Sequence, residues 1–98
     1  MYVRMITYSI RPSVNIDIAE TIYEQMRDFM QPLAGYQGLS LLINEGRREA
    51  VSLSYWQDQA SAVEAGSKIL PLLMERTREL VDRPPEVAGF DLVRQELQ

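Results

Sequence analysis

Gly38-Leu39-Ser40-Leu41-Leu42-Ile43-Asn44-Glu45-Gly46-Arg47-Arg48-Glu49-Ala50-Val51-Ser52-Leu53-Ser54-Tyr55-Trp56 is the stretch on which the fold turns. Its first part, Leu39 to Asn44, is short, apolar and bounded by turn residues. Its last part, Glu49 to Trp56, sets Ala50, Ser52, Ser54 and Trp56 against Val51, Leu53 and Tyr55 in strict alternation, the two-residue period of a strand. With Gly46 between them the two runs form a β-hairpin. A two-residue or a three-residue loop fits around Gly46, which leaves the register open, and a slip of one residue would exchange the faces of one strand.

Both sides of this hairpin carry helical patterns. Upstream, Ile18, Ile22, Met26, Phe29, Met30 and Leu33 follow at spacings of three and four, one apolar helix face of about four turns. Asp17 with Glu20 reads as a capping-box-like start, and Pro32 and Gly35 as the stop. Downstream, Ser61 and Glu64 have capping-box spacing and open a second helix. Gly66-Ser67 is expected to interrupt it, and Pro71 to begin a new piece through Leu72, Leu73, Arg76, Leu80 and Val81 to Asp82, so the second helical region reads as broken into two. Residues 2 to 11, rich in Val, Ile, Thr and Tyr and closed by Pro12, supply a strand before the first helix. After the stiff Pro84-Pro85 connector, Val87 to Leu97 supplies a strand after the second. The order is β-α-β-β-α-β: an α+β, ferredoxin-like arrangement on an antiparallel sheet, with no repeat or linker to divide it, so residues 1–98 are expected to form one domain.

Composition narrows the function classes. Fourteen acidic against ten basic side chains give a net charge of -4, which argues against nucleic acid and against an anionic membrane surface as partners, since both are held by clustered Lys and Arg. The chain has neither cysteine nor histidine. Thiolate catalysis, disulfides and thiolate-held zinc are excluded, and the commonest metal ligand and neutral-pH proton carrier is missing. We therefore expect no metal and no cofactor, with chemistry left to carboxylates, Tyr, Arg, Lys, Asn, Ser or the substrate itself. The first residues lack the features of a signal peptide, and no run approaches about 18 apolar residues. A cytoplasmic protein is the expectation.

Both faces of the sheet carry apolar residues: Val3 and Met5 oppose Ile6, Tyr8 and Ile10, Leu42 opposes Leu41 and Ile43, and Tyr55 opposes Trp56. Two helices cover one face only. A chain of this length buries only roughly 60 to 70% of its unfolded surface, so a second copy over the other face is the expected cover, and a homodimer follows.

The order of elements, the Arg11-Pro12 exit from the first strand, Gly35-Tyr36-Gln37-Gly38-Leu39 leading into the second, and Tyr55-Trp56 followed by a small-residue helix resemble the antibiotic biosynthesis monooxygenase-like superfamily over residues 3 to 95. The family's usual Pro-Gly-Phe type turn is here Ala34-Gly35-Tyr36. The resemblance implies a dimeric α+β barrel with a cavity between helices and sheet in each subunit. It also implies a choice among cofactor-free oxygenation of polycyclic phenols, haem degradation, isomerase-like chemistry and no catalysis at all. Haem degradation of the family's type is rejected, because it needs a histidine from the second helical region, an Asn in the first strand and a Trp in the second helix; this chain's tryptophan, Trp56, ends the third strand.

Two functions then stand side by side. One is a cofactor-independent monooxygenase or related small-molecule enzyme acting on an aromatic substrate, with Tyr8, Tyr55 and Trp56 as stacking surface and Asn44 and Arg76 as hydrogen-bond donors. The other is a noncatalytic dimeric module that binds a small ligand or joins an assembly. Each candidate has a structural alternative: core anchoring for Trp56 and Tyr55, a backbone hydrogen bond for Tyr8, turn geometry for Asn44, a surface ion pair for Arg76. No residue is singled out as catalytic.

Overall fold

A computed structural model describes residues 1–98. The elements run β1 (Tyr2–Ser9), α1 (Ile18–Met30), β2 (Tyr36–Asn44), β3 (Glu49–Trp56), α2 (Gln59–Thr77) and β4 (Glu86–Asp91). The four strands form one antiparallel sheet in the order β2-β3-β1-β4, as a ferredoxin-like βαββαβ chain requires. Because β1 and β3 are central, their inward residues Ile6, Tyr8, Ala50 and Trp56 anchor a core completed by Ala19, Met26 and Met30 of α1 and Ala62, Ala65, Ile69 and Leu73 of α2.

The expected hairpin forms, but its loop has neither two nor three residues. Asn44 pairs with Glu49, leaving Glu45 to Arg48 as a four-residue connection. The left-handed position falls on Arg48, at φ 54°, rather than on Gly46. Arg48 is held there by the bonds of its own guanidinium, which donates through Nη2 to the carbonyls of Arg11 and Val14, the former at 2.7 Å, while its Nε is buried. These bonds tie the hairpin end to the loop that leads into α1.

Both helix starts differ from expectation. The Asp17 carboxylate caps nothing; Asn15 Oδ1 instead accepts from the Asp17 amide at 3.0 Å, because turns at Asn15 and Ile16 already wind the chain before α1 begins. At α2 the cap is Asp58, whose side chain accepts from the Ser61 amide at 2.8 Å, one turn ahead of the Ser61–Glu64 pair. The predicted break in the second helical region is also absent. α2 is continuous through Gly66 and Pro71. Burial of Ala62, Ala65, Ile69 and Leu73 along one side of it outweighs the roughly 1 and 3 kcal/mol propensity costs of Gly and Pro. Pro71 sits on the exposed side.

Other boundaries shift modestly. β1 ends at Ser9, with Ile10 bridging Val81; β2 begins earlier, at Tyr36, with a bulge before Gly38; β4 stops at Asp91, short of Leu97; and Phe29, placed on the α1 stripe by spacing, is exposed. Gly35 has a fixed reason to be glycine. Its φ is 82°, and a Cβ there would collide with the Ser61 side chain where α2 starts.

The face of the sheet away from the helices presents Met5, Val51, Leu53, Leu42 and Phe90, with Leu42 and Phe90 about half exposed. No helix is long and apolar enough to cross a membrane.

Candidate active site

Even-numbered residues of β1 point beneath the helices, and the register lays them out in rows across the sheet. Arg4 aligns with Ser54 and Leu39, Ile6 with Ser52 and Leu41, Tyr8 with Ala50 and Ile43. The β3 members of these rows are small, so the sheet floor lies low there while α1 and α2 stand above it. What remains between is a cavity of about 50 Å³. Its roof is Ile22, Met26 and Met30 from α1 and Ile69 and Leu73 from α2; its floor includes Arg4, Ile6, Tyr8, Ser52 and Ser54. Tyr23 and Leu41 line both this cavity and a shallow surface groove with Glu20, Glu24 and Ile43, which identifies the side on which the interior meets the surface. Tyr23 closes that side by donating from its hydroxyl to the Leu39 carbonyl at 3.1 Å.

The polar groups on the cavity are few and mostly committed. Tyr8 and Ser52 approach through their hydroxyls at a long 3.4 Å. Burial, only partly opposed by that contact, pushes the Tyr8 phenol up to about 12. Tyr8 is therefore a neutral O–H group at physiological pH, able to donate a hydrogen bond and unable to act as a base. Ser54 Oγ accepts from the Trp56 indole at 2.9 Å, and Thr77 Oγ1 donates to the Leu73 carbonyl at 2.9 Å.

Arg4 is the exception. It is the one charged residue on the cavity wall, it joins no ion pair, and its Nη1 is buried with no hydrogen-bond partner. Burial holds its guanidinium below the ordinary arginine value, opposed only by the nearby Tyr2 phenol. The group fits because its cross-strand partner Ser54 is small and Gly66 of α2 carries no side chain: a Cβ there would lie 2.8 to 3.0 Å from its Nη2, Nη1 and Cζ. The two terminal nitrogens of the guanidinium are therefore close to α2 at Gly66, where any side chain would displace them.

Of the five residues named from sequence, only Tyr8 lines the cavity. Trp56 is fully buried beside it, edge-on to Tyr36 at 5.7 Å between ring centroids and bonded to Ser54, which it holds in place. Tyr55 lies on the opposite face of the sheet, its hydroxyl 3.3 Å from Ser40 Oγ. Asn44 accepts from the Arg47 amide at 3.2 Å in the hairpin connection, and Arg76 donates to Gln25 across the helix pair at 2.5 Å on the exposed side. Arg4, Ser52, Ser54 and Tyr23 were not singled out. The signal for Arg4 was strand parity, which puts it on the same face as Ile6 and Tyr8.

No group of three or more Asp or Glu side chains comes together in a way that would hold a metal ion. What the arrangement can do is bind a mostly apolar molecule, donate to it from the neutral Tyr8 phenol, and place a fixed positive charge next to one end of it.

No family model and no curated protein sequence matches the chain. Solved structures do. The chain is similar to a monooxygenase from the gene ActVA-Orf6 of Streptomyces coelicolor in complex with nanaomycin D, with a TM-score of 0.80 and 15% identity over 99% of this chain and 91% of that one. It is similar to SnoaB, a cofactor-independent oxygenase from Streptomyces nogalater, with a TM-score of 0.76 and 18% identity over 98% of this chain and 95% of that one. A solved antibiotic biosynthesis monooxygenase gives 0.69 and 17%, covering 96% of this chain and 100% of that one. At such identities the likeness speaks for the backbone arrangement, and by that measure the chain has the fold of the antibiotic biosynthesis monooxygenase-like proteins.

Proposed function

We propose that the chain is a cofactor-independent oxygenase working as one domain over residues 1–98 and acting on an electron-rich aromatic substrate of the phenol or quinol type. The observation that carries this reading is the apolar cavity between helices and sheet, with a neutral phenol and a lone cation among its walls. Similarity of fold to SnoaB, a cofactor-independent oxygenase, supports it.

The chemistry needs little from the protein. An ionised phenol or enol can itself pass an electron to dioxygen. In an anthrone-type substrate the reacting methylene becomes a carbonyl, one oxygen atom stays on carbon and the other leaves as water, and the substrate supplies all the electrons. The protein must hold the ring, favour its ionised form and stabilise negative charge. Arg4 favours the ionised form and Tyr8 donates to the developing oxyanion. Trp56 acts indirectly by fixing Ser54. Tyr55, Asn44 and Arg76 have no part in the step.

A cavity of about 50 Å³ lies far below the roughly 300 Å³ at which drug-sized ligand sites begin. Substrate therefore enters by displacing its wall, and Met26 and Met30, unbranched and flexible, are the side chains suited to give way. The reading includes a homodimer that covers Leu42, Leu53 and Phe90 on the open sheet face, for which sedimentation of the wild type against Leu53→Glu is the direct check: a dimer that dissociates supports it, and a wild-type monomer at micromolar concentration removes it.

The test of function is oxygen consumption by metal-free protein given anthrones, naphthols and hydroquinones, with Tyr8→Phe alongside. Uptake above the uncatalysed rate, reduced at least about tenfold by Tyr8→Phe in a still-folded protein, is expected. No protein-dependent uptake with any of the panel would reject the reading.

A further inference from the structure

Arg4 presents a problem that the fold alone does not resolve. Arg4 is half-buried, and an enclosed guanidinium nitrogen such as its Nη1 ordinarily has a hydrogen-bond partner, which this one lacks. The chain has fourteen carboxylates in Asp and Glu side chains, yet none lies in an ion pair with Arg4. The sequence around it clears space instead of supplying a partner. Gly66 lets the guanidinium rest on the helix backbone. Gly89 leaves room for the Tyr2 ring, whose hydroxyl a Cβ at that position would overlap, and Ser54 has its oxygen engaged by Trp56. The guanidinium thus rests against Gly66 of α2, with its Nη1 enclosed and unpaired, on the wall of a cavity that is otherwise uncharged.

We propose that Arg4 is an anion receptor, and that the ligand of this cavity is an aromatic acid: a flat apolar ring carrying one carboxylate that meets Arg4 while the ring lies between Ile6, Met26 and Ile69. A carboxylate matches the planar fork of a guanidinium better than any neutral group, and it supplies the missing countercharge without requiring a second cation. The wall hydroxyls of Ser52 and Tyr8 lie one and two rows away on the same floor, where they meet the ring's substituents and not its acid group. This assignment deepens the proposed function by naming the substrate class, but it concerns binding alone, so a failure of oxygen uptake leaves it standing.

Benzoate and its uncharged shape-mate benzamide, titrated into nitrogen-15-labelled protein, test the assignment through the Gly66 and Gly89 amides and the Arg4 side-chain Nε–H. Benzoate is expected to move these signals and to bind at least about tenfold more tightly than benzamide, the discrimination a charge-assisted hydrogen bond gives. Arg4→Met should abolish the preference without lowering the melting temperature, because an enclosed nitrogen with no partner is replaced by an apolar chain of similar reach. Arg4→Gln, which keeps polarity and removes charge, should also lose the preference and serves if Arg4→Met fails to fold. Equal binding of the two probes by wild type overturns the assignment, as does binding of neither at up to about 50 mM, beyond even millimolar affinity. A preference that survives in Arg4→Met, with a lowered melting temperature, would also overturn it by making Arg4 part of the scaffold.

Discussion

Replacing Gly66 by alanine adds one methyl group at the place where α2 meets the Arg4 guanidinium. In an exposed helix interior this change gains about 1 kcal/mol. Here the new Cβ would stand 2.8 Å from Nη2, 2.9 Å from Nη1 and 3.0 Å from Cζ, whereas carbon contacts settle near roughly 3.5 to 4.0 Å. The guanidinium must move back by roughly 0.5 to 1 Å into the cavity, an overpacking cost of about 1 to 3 kcal/mol. The two terms oppose each other, so Gly66→Ala alone should lie between neutral and about 2 kcal/mol destabilising. With Arg4→Ala already present the obstruction is gone, and the same change should stabilise by about 1 kcal/mol. The coupling between the positions is then about 1 to 3 kcal/mol, with the sign of a clash. Urea unfolding of the four proteins measures it, provided the slopes agree so that midpoints report stability alone. If Gly66→Ala stabilises both backgrounds equally, the guanidinium does not rest on α2, and the seat described for Arg4 is wrong.

Tyr8, held neutral up to about 12 in the folded chain and ionising near roughly 10 in the unfolded one, keeps its proton over a range where the unfolded state has lost it. Stability should therefore fall as pH rises from about 10 towards 12, by about 2 to 3 kcal/mol, and Tyr8→Phe should flatten that slope; Tyr36, also raised by burial, leaves a weaker one in the same direction. A slope unchanged in Tyr8→Phe would show that the phenol is not the titrating group. Gly35→Ala faces both a positive φ and the Ser61 side chain, and should cost more than about 2 kcal/mol in a denaturant titration; a loss below about 0.5 kcal/mol would mean the turn relaxes freely.

The element order was legible because the hairpin alternates at period two while its flanks repeat at three and four, signals that survive without tertiary information. Boundaries and breaks were harder for a physical reason. Gly66 and Pro71 are poor helix residues by intrinsic propensity, and only the buried side of α2, formed by residues on both sides of them, outweighs it. The Arg48 backbone takes a conformation usually left to glycine because its side chain finds carbonyls far along the chain, at Arg11 and Val14. The candidate site divides in the same way. Tyr8 was found as an aromatic on an inward strand position. Trp56, Tyr55, Asn44 and Arg76 have chemistry suited to a site, but their surroundings use it elsewhere. Arg4 carries no sequence signal beyond strand parity, because what sets it apart, small Ser54 beside it on β3 and Gly66 against its guanidinium on α2, is a coincidence of distant positions.

The bonds from Arg48 to the loop before α1 bear on how that helix moves. At its first turn α1 follows a loop fastened to the hairpin by Arg48. At its last turn the bonds leaving it run only along its own chain, from the Gln31 amide to the Arg27 carbonyl and from the Leu33 amide to the Met30 carbonyl. Fluctuations of the helix should therefore be lopsided, smaller near Ile18 and larger near Met30, as in a beam clamped at one end. Hydrogen–deuterium exchange should accordingly run faster around Met30 than around Ile22, and loosening the clamp with Arg48→Ala should narrow that difference.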